Sequence, residues 1–149
     1  MKSLLALIIL ANSALAHACP NLTGNWKLQW SANPSAEDAQ IITASQTSIS
    51  GGVQYNFAAT DATGAVEQQS LLADGLTREQ TEAHDGLTFV TRTTTTCQQD
   101  SVLTEVQMYL DGNLALSAKS IIQLNGNQIS QFGQLDSEPM TEQMRYVRQ

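Results

Sequence analysis

"ADGLTREQTEAHDGLTF" (residues 73–89) decides the class of fold. It carries two Asp-Gly pairs, Asp74-Gly75 and Asp85-Gly86, separated by a polar run and each followed by Leu-Thr. Asp-Gly and Asn-Gly supply the positive φ angles of type I′ turns, whose twist matches that of antiparallel strands. The repeated D-G-L-T therefore reads as two successive hairpins. Asp111-Gly112 and Asn125-Gly126 are turns of the same kind, and Gly51-Gly52 and Asp61-Ala62-Thr63-Gly64 punctuate the chain upstream. Turn signals at intervals of roughly ten residues belong to a β-meander, not to a helical or βαβ protein.

The segments between the turns alternate with period two, as half-buried strands do. Trp26, Leu28 and Trp30 share one face against Asn25, Lys27 and Gln29. Val53, Tyr55, Phe57 and Ala59 share another, and Val102, Val106, Met108 and Leu110 a third, opposite Glu105 and Gln107. Thr91 and the run Thr93 to Thr96 are β-branched and suit a strand. The pattern predicts eight to ten strands, around 24–31, 40–49, 53–60, 65–73, 76–83, 87–97, 101–110, 113–124, 127–135 and 141–148. Ser35 to Ala39, after Pro34, has room for one or two helical turns at most.

Residues 1–18 read as a secretory signal: Lys2 is the positive start, Leu4 to Ala11 the apolar core, and Ala16-His17-Ala18 a small-x-small cleavage site. Cleavage would leave Cys19, or alternatively His17, as the first residue. The apolar run falls short of the roughly 20 residues of a transmembrane helix. No later run approaches that length, so residues 19–149 are expected to be a soluble single domain in the periplasm or outside the cell. The chain carries 7 Lys+Arg against 14 Asp+Glu, a formal net charge of −7. That balance argues against nucleic acid and against anionic membrane surfaces, both of which are bound through cations.

Cys19 and Cys97 are the only cysteines. In an oxidising compartment they most simply pair. Cys19 following Ala18 also leaves open a lipid anchor in the outer membrane, and a reactive or metal-binding thiol is the third option.

A ten-stranded open sheet would leave one face and two edges unprotected. An up-and-down meander closes most simply into a barrel, which is preferred here over a sandwich. "LTGNWKL" (residues 22–28) and "MRYVRQ" (residues 144–149) then gain meaning together. The pair resembles the calycins, and among them the small exported lipocalin-like domains of bacteria. In those families a G-x-W opens the first strand and an Arg of the last strand packs across the Trp at the barrel base. The resemblance maps this onto Gly24, Trp26 and either Arg148 or Arg145, with Tyr146-Val147-Arg148 favouring Arg148. Cation–π stacking gives such a plug roughly 0.5–2 kcal/mol.

The resemblance to individual subfamilies is partial. Fatty-acid-binding proteins have a two-helix lid for which residues 31–39 are too short, and their carboxylate-binding R-x-Y is absent because Arg145 and Tyr146 are adjacent. Avidins share the Cys before L-T-G-x-W but wall biotin with later tryptophans, and none follows Trp30. Small barrel inhibitors of bacterial metalloproteases are similar in their opening and are usually shorter.

Nothing in the sequence assembles a catalytic constellation. His84, the only His beyond the signal, sits beside the Asp85-Gly86 turn and lacks the companion ligands that zinc or haem sites use. No G-x-S-x-G, H-E-x-x-H or phosphate-cradling loop occurs, and no Ser has a His partner. The reading is therefore a non-enzyme without metal or cofactor. Leu87 and Phe89 lead into Thr91, Thr93 and Thr95, and Val66 leads into Gln68 and Ser70. If those faces point inward, the interior is part apolar and part polar, as ligand sites are. A small apolar or amphipathic ligand is expected there, touching Tyr55, Phe57, Phe89, Thr91, Met108 and Phe132. The alternatives are a protein-binding module, such as a protease inhibitor using a barrel end or the segment before Trp26, and a structural envelope lipoprotein.

Overall fold

The computed structural model describes residues 19–149, so the secretory signal read at 1–18 lies outside the described residues. Ten strands cover most of this length: β1 (Gly24–Ser31), β2 (Ile41–Ile49), β3 (Gly52–Thr60), β4 (Val66–Ala73), β5 (Thr77–His84), β6 (Leu87–Gln98), β7 (Ser101–Leu110), β8 (Asn113–Asn125), β9 (Gln128–Leu135) and β10 (Thr141–Arg148). They form one antiparallel sheet in the order β4-β3-β2-β1-β10-β9-β8-β7-β6-β5. The pairing of β1 with β10 joins the two ends of the chain, with Trp26 opposite Arg148 and Leu28 opposite Tyr146.

The turns use the residues that tolerate a left-handed backbone. Asp85 and Gly86 have φ of 51° and 81°, and Asp111 and Gly112 have 46° and 81°, the pattern of type I′ hairpins. The β6–β7 turn has no glycine, and there Gln99 takes the positive φ of 38°. Residues 35–38 make one turn and no helix: Asp38 N–H donates to the Ser35 carbonyl, and the Asp38 carboxylate accepts from Ser35 N–H. A segment this short cannot offset the cost of helix nucleation.

The barrel expected from the sequence is not closed. β4 and β5 are neighbours in the chain yet form the two free edges of the sheet, so Asp74-Gly75 is a corner between edges and not a hairpin turn. The corner is held in two ways. Gly75 N–H donates to the Thr95 carbonyl of β6 at 2.9 Å, and Asp74 accepts both Leu76 N–H and the Arg78 guanidinium. The end of β4 therefore leans on β6 instead of on β5. The composition of β5 accounts for this: Thr-Arg-Glu-Gln-Thr-Glu-Ala-His is exposed throughout and has no apolar face to bury against β4. Charged side chains also protect such an edge from pairing with other chains, here through Arg92 of β6 bonded to Glu79 of β5 at 2.8 Å.

The antiparallel order sorts the strand ends into two sets. The starts of β1, β3, β7 and β9 lie at one end of the curled sheet, with the finishes of β4, β6 and β10. All the fully buried large side chains belong to that end: Trp26, Tyr55, Tyr146, Leu22 and Val102. Opposite it, Thr60, Val66, His84, Leu87 and Leu110 mark the other end, which has no such plug among the described residues. The molecule is shaped as a cup with a packed floor and a side split between β4 and β5.

Candidate functional site

The floor is built by the segment before β1. Cys19 is bonded to Cys97 near the end of β6, which draws residues 19–23 beneath the sheet. The sulfur of Cys19 is thus committed to the bridge, the first of the fates open to it. Pro20 offers its carbonyl to the Tyr55 hydroxyl at 2.8 Å, and Leu22 N–H donates to the Gln46 side chain at 3.0 Å. Leu22 itself is fully buried, and its carbonyl accepts the Trp26 indole N–H at 2.9 Å. Each polar group taken out of water here has a partner, as burial demands. Burial pushes the phenols of Tyr55 and Tyr146 up to about 12.

The residues matched to the calycin base meet at this floor. The Arg148 guanidinium lies 4.5 Å from the centroid of the Trp26 ring and donates to the Thr23 carbonyl at 3.1 Å. Gly24 has φ of 144°, and a side chain there would crowd Arg148 Nη1 at 3.2 Å. Arg145, the other arginine considered, lies 5.7 Å from the ring of Trp30 and is clamped by Glu142. Each tryptophan thus carries one arginine.

Above the floor is a cavity of about 270 Å³. Its lower wall is apolar, from Trp26, Ile42, Phe57, Leu71, Ile129 and Tyr146. Glu67, Gln69, Thr104, Ser120 and Gln131 supply the polar remainder. The cross-strand register explains the grouping, since Phe57 faces Gln69, Ala59 faces Glu67, and Tyr55 faces Leu71 on one side of β3–β4. Strand alternation carries these side chains inward and their neighbours outward.

The expected ligand residues are dispersed over this cup. Phe57 lines the cavity. Tyr55, two residues nearer the floor, is sealed within it and stacks on Phe57 at a centroid distance of 6.1 Å. Phe89, Thr91 and Met108 line a separate open depression with Gln80, Glu82 and His84, on the inner faces of β5–β7 toward the unplugged end. Phe132 lines neither; it pairs with Ile121 and Glu142, while its neighbour Gln131 faces the cavity. The β6 face with Thr95 does point inward, Thr95 being buried and bonded to Thr104. On β4 the inward face is Glu67, Gln69 and Leu71, opposite to the Val66-Gln68-Ser70 face considered from sequence. The adjacent pair Leu71-Leu72 blurs the alternation of β4, and only pairing with β3 resolves it.

His84 is exposed at its turn, 3.3 Å from the Asp85 carboxylate. Among the described residues no three His, Cys, Asp or Glu side chains gather as metal ligands would, and no helix is long and apolar enough to cross a membrane. Comparison with protein-family models and with curated proteins finds no match to this chain.

Proposed function

We propose that this is an exported, non-enzymatic binding protein of the lipocalin-like kind, holding one small amphipathic molecule in the cavity above Trp26. The observation that carries the reading is the cavity itself, with an aromatic and aliphatic floor below side-chain amides, hydroxyls and one carboxylate. Ligand sites combine apolar walls with a few placed polar groups in this way. Its size, about 270 Å³, lies near the lower bound of small-molecule pockets and suits a compact ligand. The Cys19–Cys97 bridge is compatible with an oxidising, extracytoplasmic location. The carbonyls of Pro20 and Leu22, in the segment before Trp26, are taken up by hydrogen bonds within the floor.

The test is native mass spectrometry of the gently purified protein, followed by a thermal-shift screen of small amphiphiles. A co-purified mass released on denaturation, or a saturable shift, is the expected result. Ala59 projects into the cavity from β3, so Ala59→Phe should fill it and abolish the shift while leaving the β-sheet circular dichroism spectrum intact. An unchanged shift in that variant would place the site elsewhere. No bound mass and no shift across the panel would remove the reading.

A further inference from the structure

The charges around this cup are arranged unequally. Among the described residues Glu67 is the single charged side chain lining the cavity, and it has no ion-pair partner. Glu82 lines the neighbouring depression and is bonded to Gln80 Nε2 at 2.7 Å. Since β4 and β5 run in opposite directions, the start of β4 and the finish of β5 lie at the same end. Glu67 and Glu82 thus flank the split on its two edges, with Gln69 and Gln80 one inward position closer to the floor.

The cations are directed elsewhere. Arg92 is held by Glu79 and Tyr109, Lys119 by Glu105, and Arg145 by Glu142 and Trp30. Arg148 sits at the closed end on Trp26 and Thr23. Lys27 neighbours the inward Trp26 along β1 and so points outward. Arg78, on the inner column of β5, is tied at the corner by two hydrogen bonds to Asp74. Among the described residues, no lysine or arginine lines the cavity or the depression. An anionic head group would find no counter-ion there, whereas a cationic one meets Glu67 beside the apolar wall of Trp26, Phe57 and Tyr146. The net charge of −7 raises the concentration of cations at the mouth.

We propose, resting on the interior-binding reading above, that the cup selects small cationic amphiphiles, an ammonium head on a short apolar body, over anionic ones. Glu67 receives the head and the floor receives the body. The geometry supplies selectivity more than affinity, because partly exposed charges are screened by water and salt.

The experiment titrates the intact protein with octyltrimethylammonium, octanol and octanoate by isothermal calorimetry, at low and high salt. The cation should bind at least about fivefold more tightly than the anion, the alcohol falling between, with a gap that shrinks in high salt. Glu67→Gln should narrow that gap severalfold. Asp100→Asn, the same change of net charge in the β6–β7 turn at the closed end, should leave it in place. Equal affinities for all three probes, or preference for octanoate, would overturn the charge assignment while leaving the cavity reading standing. An effect of Asp100→Asn as large as that of Glu67→Gln would also overturn it, since net charge alone would then account for the preference. Absence of binding by every probe would remove both.

Discussion

Trp26 is at once the plug of the floor and part of the cavity wall. It is fully buried, bonded through its indole to Leu22 and covered by Arg148. Trp26→Ala should lower unfolding stability by about 3–5 kcal/mol, as for other buried aromatic truncations, measured by urea denaturation. A loss below about 1 kcal/mol, the level of an exposed side chain, would contradict a plugging role. This neighbourhood was legible in the sequence because G-x-W and a terminal arginine name their residues directly. Tyr55 was harder to read. Alternation says that Tyr55 and Phe57 share a face, but not how far along the strand the floor stops and the cavity begins. That depth is set by residues 19–23, whose irregular path has no periodicity to read.

Among the elements, the β4–β5 corner shapes the split. Asp74 caps Leu76 and grips Arg78, and those bonds, the Arg78 guanidinium first, hold its carboxyl down at about 2 from an ordinary value of 3.8. The unfolded chain therefore takes up this proton first as pH falls, and the stabilisation present above about pH 4 is lost as pH falls from there to about 2. Asp74→Asn keeps an acceptor for Leu76 but removes the charge facing Arg78. The stability difference between wild type and variant should be constant near neutrality and vanish between pH 4 and 2. A difference that is flat through this range would show that the grip on Arg78 does not form. The strand boundaries were readable from turns and alternation to within a residue or so. Closure was not, because Asp-Gly signals that a chain reverses without saying whether the flanking strands pair. The decisive fact, that β5 presents nothing apolar to β4, lies in the relation between two polar strands. Gly52 shows the same limit: only the fold reveals that a Cβ there would collide with the Ala73 carbonyl.

At the scale of the molecule, one covalent bond and one pairing make a cup of a meander. The Cys19–Cys97 bridge spans 78 residues of sequence, for which chain entropy allows roughly 4–5 kcal/mol, with 2–4 typical in practice. Reduction, or the double change Cys19→Ser and Cys97→Ser, should lower the thermal midpoint and free residues 19–23 from the floor. Protease cleavage confined to that segment at native temperatures would report it. The pairing of β1 with β10 brings Trp26 beneath the cavity, where its emission can report a seated ligand. The chain has 2 tryptophans, of which Trp30 is 42% exposed and Trp26 wholly buried, so Trp30→Phe leaves Trp26 as the sole indole emitter. Titration of that variant with octyltrimethylammonium should give a saturable change in Trp26 emission at one probe per protein, abolished by Ala59→Phe. Emission that stays constant, or drifts without saturating while the probe binds elsewhere, would contradict a ligand seated above Trp26.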